Sequence, residues 1–420
     1  MPRTGRAERG SAALAVILAL VGIVGLATVA ALTESAVDEA RREQRTASAL
    51  AQARDALIGF AIRGGDTSAG RPGDLPCPDL DNDGSADAVP GCSAATTRIG
   101  RLPWRTLGLP DLRDGNGERL WYAVSVNFKN NPRTSCLSAG QSGCLNSDTP
   151  GTITVRNPSG AIVNNGTLAV RSATTANVAL SGVVAVVFSP GPALKRVGAG
   201  ATQDRSCTRG GGTDSACMND EGRCTGTTPA EYIQTARCNP TNYLDIAGPP
   251  DFTVAGATGS AEDNATFADS TSTDGFIAGD VRNASGEVIV NDRLITIRYA
   301  DLMPLLEQRV VRQVFDCLTE YASANGGKYP YAADQDTLTF SDAAQDQTGR
   351  IPNQPFAETN HDNPGMSDAW GPNCVLSASP PWWTNWKDQA AALFQRDVGG
   401  AGEQVVAEAV RDGRQRLHRT

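Results

Sequence analysis

The run Asp79-Leu80-Asp81-Asn82-Asp83-Gly84-Ser85-Ala86-Asp87 holds the densest chemistry in the chain. Its carboxylates stand at alternate positions, a glycine allows a tight turn, and a further Asp follows at the ninth position. That order matches the front of an EF-hand-type loop. Ca2+ is a hard ion that takes about six to eight oxygens, and such a turn points several inward. The match predicts Ca2+ held by Asp79, Asp81, Asp83 and Asp87. Pro90 stands where the bidentate Glu of such loops belongs, so Asp74 or water must complete the shell. The alternative is a solvated acidic turn without an ion.

Cysteine is the second reactive residue type. The chain has 10: Cys77, Cys92, Cys136, Cys144, Cys207, Cys217, Cys224, Cys238, Cys317 and Cys374. They fall into close couples, without the paired CxxC frame of a zinc site. Short loops close at low entropic cost. Proximity therefore predicts Cys77–Cys92, Cys136–Cys144, Cys207–Cys217, Cys224–Cys238 and the long-range Cys317–Cys374. Partner exchange among the four between 207 and 238 stays open, as does the alternative of reduced structural thiols.

Catalysis finds little support. Only His361 and His418 exist, the first in a polar loop and the second in a basic tail, and no nucleophile-elbow signature is present. Gly210-Gly211-Gly212 lacks the lysine of a phosphate loop. Acids abound, but nothing singles out a catalytic pair. The formal net charge of −9 argues against a nucleic-acid partner, which needs a basic face. The chain reads as a non-enzyme.

These residues must be positioned by the elements around them. Ala12 to Leu32 is apolar and uncharged, about the length of a bilayer-crossing helix, with Arg3, Arg6 and Arg9 ahead of it. Glu34 to Ile62 continues without proline, with apolar residues at helical spacing, until Gly64-Gly65. A helix over 11–62 would be roughly 75–80 Å long at about 1.5 Å per residue. The reading is a single-pass anchor with a cytoplasmic N-terminus. Such a helix can equally pack with copies of itself.

Arg9-Gly10-Ser11 before the apolar run, followed by the amphipathic half, resembles the prepilin signal of type IV pilins and type II secretion pseudopilins. The resemblance implies cleavage between Gly10 and Ser11 by a prepilin peptidase, methylation of the new N-terminus, and contacts with other pilin or pseudopilin subunits through the helix. It also implies an inner-membrane protein with a periplasmic body, or a place in a pilus. The family's Glu at the fifth mature position falls at Ala15, which favours a minor component. The alternative function is an anchored extracytoplasmic adhesin or binding module that does not polymerise.

The body carries an echo of itself. Gly100-Arg101-Leu102-Pro103 and Asp114-Gly115-Asn116-Gly117 have counterparts in Gly349-Arg350-Ile351-Pro352 and Asp368-Ala369-Trp370-Gly371. A second helix is expected from Asp301, with the stripe Leu306, Val310, Val314, Cys317, Leu318 and Tyr321 ending at Asn325-Gly326-Gly327. Strands are expected at 152–155, 167–170 and 183–188. The tract Trp382-Trp383-Thr384-Asn385-Trp386 is either an aromatic edge or ordinary core. The expected fold is α+β: a long transmembrane and amphipathic helix, then a pilin-like antiparallel head, duplicated, with a β-rich insertion. Its parts are a leader (1–10), the helix (11–62), a first head region (63–130), a Cys-containing insertion (131–290), a second head region (291–396) and a tail (397–420).

Overall fold

The computed structural model describes residues 8–63, 71–87, 92, 94–129, 145–147, 149–156, 162–164, 182–197, 200–219, 222–247, 264–266, 276–327, 329–330, 348–351, 367, 369–378, 382–386, 391–395 and 404–406. Helix α1 (Glu8–Arg63) is unbroken over 56 residues, about 84 Å at ~1.5 Å per residue. From Ala36 to Arg45 every residue is exposed. Burial starts at Thr46 and continues along one face through Ala49, Leu50, Ala53, Leu57, Phe60 and Ala61. Their spacing of three and four residues puts them on one side of the helix.

That face lies on a four-stranded antiparallel sheet of β1 (Ile99–Arg101), β2 (Trp121–Val124), β3 (Val183–Ser189) and β4 (Arg293–Arg298), paired in that order. Strand β2 alternates as a two-faced strand should. Tyr122 and Val124 join the core under α1, and Trp121 and Ala123 face a second core with Phe188, Tyr243 and Phe276. The register of β3 against β4 shifts between Ile297 and Arg298, opposite Ala185 and Val183. Such a bulge changes which face successive residues reach, and Val184 and Ala185 accordingly both enter the core under α1.

Helix α2 (Tyr299–Ala324) follows β4 directly. It starts two residues before the expected Asp301, whose carboxylate instead caps the Arg298 backbone N–H at 3.0 Å. The whole expected stripe is buried, and Gly326 and Gly327 take positive φ where the helix stops. α1 and α2 share one core with the sheet, joined by Trp370, Trp382, Trp383 and Trp386. The tryptophan tract is thus core.

The turn Asp114-Gly115-Asn116-Gly117 docks α1 onto this body. Gly115 N–H donates to Thr46 Oγ1 at 2.9 Å, and a Cβ on Gly115 would stand 2.2 Å from the Arg42 carbonyl oxygen. Only glycine lets the two backbones approach so closely.

Two expectations are corrected here. Among the described residues no helix is long and apolar enough to cross a membrane. The transmembrane span over Ala12–Leu32 is overturned, and with it the single-pass inner-membrane placement with a periplasmic body. The second correction concerns the duplicated pilin-like head with an insertion. The fold is mixed α/β with small sheets, and its largest sheet draws β1 and β2 from the first region, β3 from the middle and β4 from the last. Cross-strand hydrogen bonding joins these four segments in one sheet.

Candidate functional site

Among the described residues four disulfide bonds are formed: Cys77–Cys92, Cys207–Cys217, Cys224–Cys238 and Cys317–Cys374. Each joins the partners expected from proximity. Cys136 and Cys144 lie outside the described residues, as do His361 and His418. Gly10 and Ser11 fall in the first turns of α1.

The bond Cys77–Cys92 closes the segment that carries the acidic run. Its start is laid along the edge of β1. Asp79 N–H donates to the Arg101 carbonyl at 3.0 Å, and Arg101 N–H donates to the Asp79 carbonyl at 2.7 Å. Gly100 permits this approach, since a Cβ there would stand 2.8 Å from the Asp79 carbonyl oxygen. The chain then reverses through Asn82 and Gly84, both at positive φ. A Cβ on Gly84 would stand 2.6 Å from the Trp104 ring, so glycine is required twice over.

The carboxylates organise this turn by accepting its backbone N–H groups. Asp79 accepts from Asp83 at 3.1 Å and from Gly84 at 2.7 Å. Asp81 shares the Asp83 N–H at 3.1 Å, and Asp87 reaches back to Leu80 N–H at 2.5 Å. The result brings carboxylate oxygens of Asp79, Asp81 and Asp87 within 4.8 Å of one another. Asp79 and Asp81 are buried and Asp87 is half-buried. Asp83 does not join them. It caps Ser85 N–H at 2.7 Å and stands 3.7 Å from Arg223. Asp74, offered as a completing ligand, is engaged elsewhere: Arg71 Nε donates to it at 2.7 Å.

Crowding like charges away from water favours the protonated form. Burial holds the Asp79 carboxyl well above its usual range, against the pull of the Gly84 N–H, with Asp81, Asp83 and Asp87 adding to the rise. Burial also pushes Asp87 up to about 6, helped by Asp81 and Asp83 and opposed by the Leu80 N–H.

A distant segment completes the site. Arg223 reaches Asp81 Oδ2 through Nε at 2.9 Å and a terminal nitrogen at 2.8 Å. Cys224 N–H donates to the Asp81 carbonyl at 2.8 Å, and Asn82 Nδ2 donates to the Gly222 carbonyl at 2.9 Å. Sequence reasoning missed Arg223, whose contact spans 142 residues. Its place beside Cys224 was the available signal, because a cystine-linked loop needs something to order it.

The donor set is all oxygen, which suits a hard cation. The three clustered carboxylates retain lone pairs beyond their N–H bonds. Asp79, Asp81 and Asp87 form a group that could hold a metal ion.

The chain matches no family model, no curated protein and no solved structure.

Proposed function

We propose that the protein is a minor, contact-acting subunit of a pilin- or pseudopilin-type assembly, cut between Gly10 and Ser11 by a prepilin-type peptidase. The observation that carries this reading is the uneven covering of α1. The head buries it only from Thr46 onward, and Ala36 to Arg45 are exposed, touched only where the Gly115 turn meets the Arg42 backbone and Arg293 meets Glu43. A helix this exposed over nearly three turns offers its surface to another subunit's helix. The Arg9-Gly10-Ser11 signal adds support, and Ala15 favours a minor place over a main fibre role. The role is structural, and the partners are other subunits of the kind together with the peptidase.

Within the head we assign the acidic turn to Ca2+, held by Asp79, Asp81 and Asp87 with Asp83 outside. The ion's task is to set the Cys77–Cys92 segment against the Cys224 segment by relieving repulsion among these carboxylates.

A photo-crosslinking side chain at Val37, which is 48% exposed, tests the assembly role in cells that make the full chain. Adducts joining Val37 to the helix of a second copy, or to another subunit carrying a prepilin-type cut, are expected. Recovery of the uncrosslinked chain alone would overturn the reading.

A further inference from the structure

Helix α2 buries one face in the core and leaves the opposite face open. Leu305, Gln308, Arg312, Phe315, Thr319 and Ser323 recur at spacings of three and four, and all are exposed. The stretch is about 27 Å long at the helical rise. Leu305 is 40% exposed and Phe315 53%, unusual for large apolar side chains on a helix with a core face of its own. Toward the C-terminal end of this face lies a shallow, open hollow of about 570 Å³, lined by Asp316, Thr319, Glu320, Ser323, Ala324 and Asn373.

Arg312 and Asp316 stand one turn apart on this face. Among the described residues neither side chain has a hydrogen bond or an ion pair. Their order accounts for the missing bond within the helix. A cation N-terminal to its anion is the poorer arrangement for a pair four residues apart, because it runs against the helix dipole. One charge of each sign thus remains available beside an exposed aromatic ring. Two such charges, a turn apart on one helix, are complementary to the same pair rotated about a two-fold axis.

We propose that this face of α2 docks against the same face of a second copy of the chain, with the two helices antiparallel. Placing Arg312 of each copy opposite Asp316 of the other makes two ion pairs, one on either side of the two-fold axis. The same register sets Leu305 of each copy opposite Ser323 of the other, so the exposed leucine enters the hollow. It also sets Gln308 opposite Glu320, whose Oε1 accepts from Asn373 and whose Oε2 has no donor among the described residues. Phe315 of each copy falls next to the axis, where the two rings leave water together. A parallel arrangement would face Arg312 with Arg312 and is rejected. The contact closes at two copies and uses no residue of α1.

Sedimentation equilibrium of the full chain tests this. Wild type is expected to be dimeric at about 100 μM. Arg312→Asp and Asp316→Arg each set like charges opposite one another twice, and each should raise the dimer Kd at least about tenfold. Mixed together, the two variants should form a heterodimer about as tight as wild type, because every facing pair is then of opposite sign. A variant that had lost its fold would not be rescued by mixing. Phe315→Ala, at an exposed position, should weaken the dimer by about tenfold or more. A wild-type chain that is monomeric at that concentration, single charge variants that associate as tightly as wild type, or a mixture no tighter than its components would each overturn the proposal.

Discussion

Asp79 stands where two demands meet. Its backbone extends the edge of β1 through Arg101, and its side chain organises the turn through Asp83 and Gly84. The acidic residues around it repel one another, and Arg223, with its side chain 54% exposed, supplies only partial relief. A bound cation would stabilise the folded state by mass action, by about 2.7 kcal/mol at a hundred times Kd. The full chain is therefore expected to melt higher in millimolar calcium than in chelator, and Asp81→Asn with Asp87→Asn to remove the difference. The dependence on pH has opposite signs in the two conditions. Without metal, an Asp87 carboxyl raised to about 6 holds a proton that the unfolded chain has released. Its contribution is full below the ordinary carboxyl pKa of about 4 and is lost as pH rises through about 6. In chelator, wild type should thus lose more stability than Asp87→Asn between pH 5 and 7.5. Calcium must displace that proton, so its stabilising effect should fade as pH drops below about 6. Melting temperatures that ignore calcium at pH 7.5 would reduce the turn to a solvated acidic loop.

Among the elements, α2 was the most legible in the sequence, because its signals are local. A stripe at spacings of three and four marks its buried face, and Asn325-Gly326-Gly327 marks its stop. Strand β3 was legible for a similar reason, as an unbroken apolar run buried on both faces. The assembly of the sheet was not legible. β2 and β3 pair across about sixty residues, and nothing in Trp121–Val124 announces Ala185 to Phe188 as its partner. Register comes from packing, which a single sequence does not display. The far end of α2 shows how such packing is secured. Cys317 bonds to Cys374, Tyr321 meets Trp370 edge to face with centroids 5.9 Å apart, and Gly371 leaves room for Glu320. The cystine spans 57 residues, a loop whose closure is worth about 4 kcal/mol in chain-entropy terms. Replacing Cys317 and Cys374 together with Ser should lower the unfolding free energy by about 2–4 kcal/mol in denaturant titrations. A loss below about 0.5 kcal/mol would mean that the aromatic contacts alone hold this end.

At the level of the molecule, the helix and the head follow different rules. Among the described residues the head is joined by its four-stranded sheet, helix α2 and four cystines, whereas α1 runs on past it with Ala36 to Arg45 exposed. The candidate site was half legible. Alternating aspartates and Gly84 named the turn, but Asp83 turned outward, Asp74 went to Arg71, and Arg223 arrived from a distant loop. The membrane-spanning expectation rested on a run of apolar letters, and the described helix does not meet that standard. What remains of the N-terminal reading is the Arg9-Gly10-Ser11 signal and a helix with a free surface, and processing at that signal separates a pilin-type subunit from any other protein with a long helix. The measurement is the mass of the intact protein and of its N-terminal peptide, isolated from cells that also make a prepilin-type peptidase. A chain beginning at Ser11 is expected, with an added methyl group on its amine. A chain that retains Arg9 and Gly10 in the presence of the active peptidase would contradict the assignment.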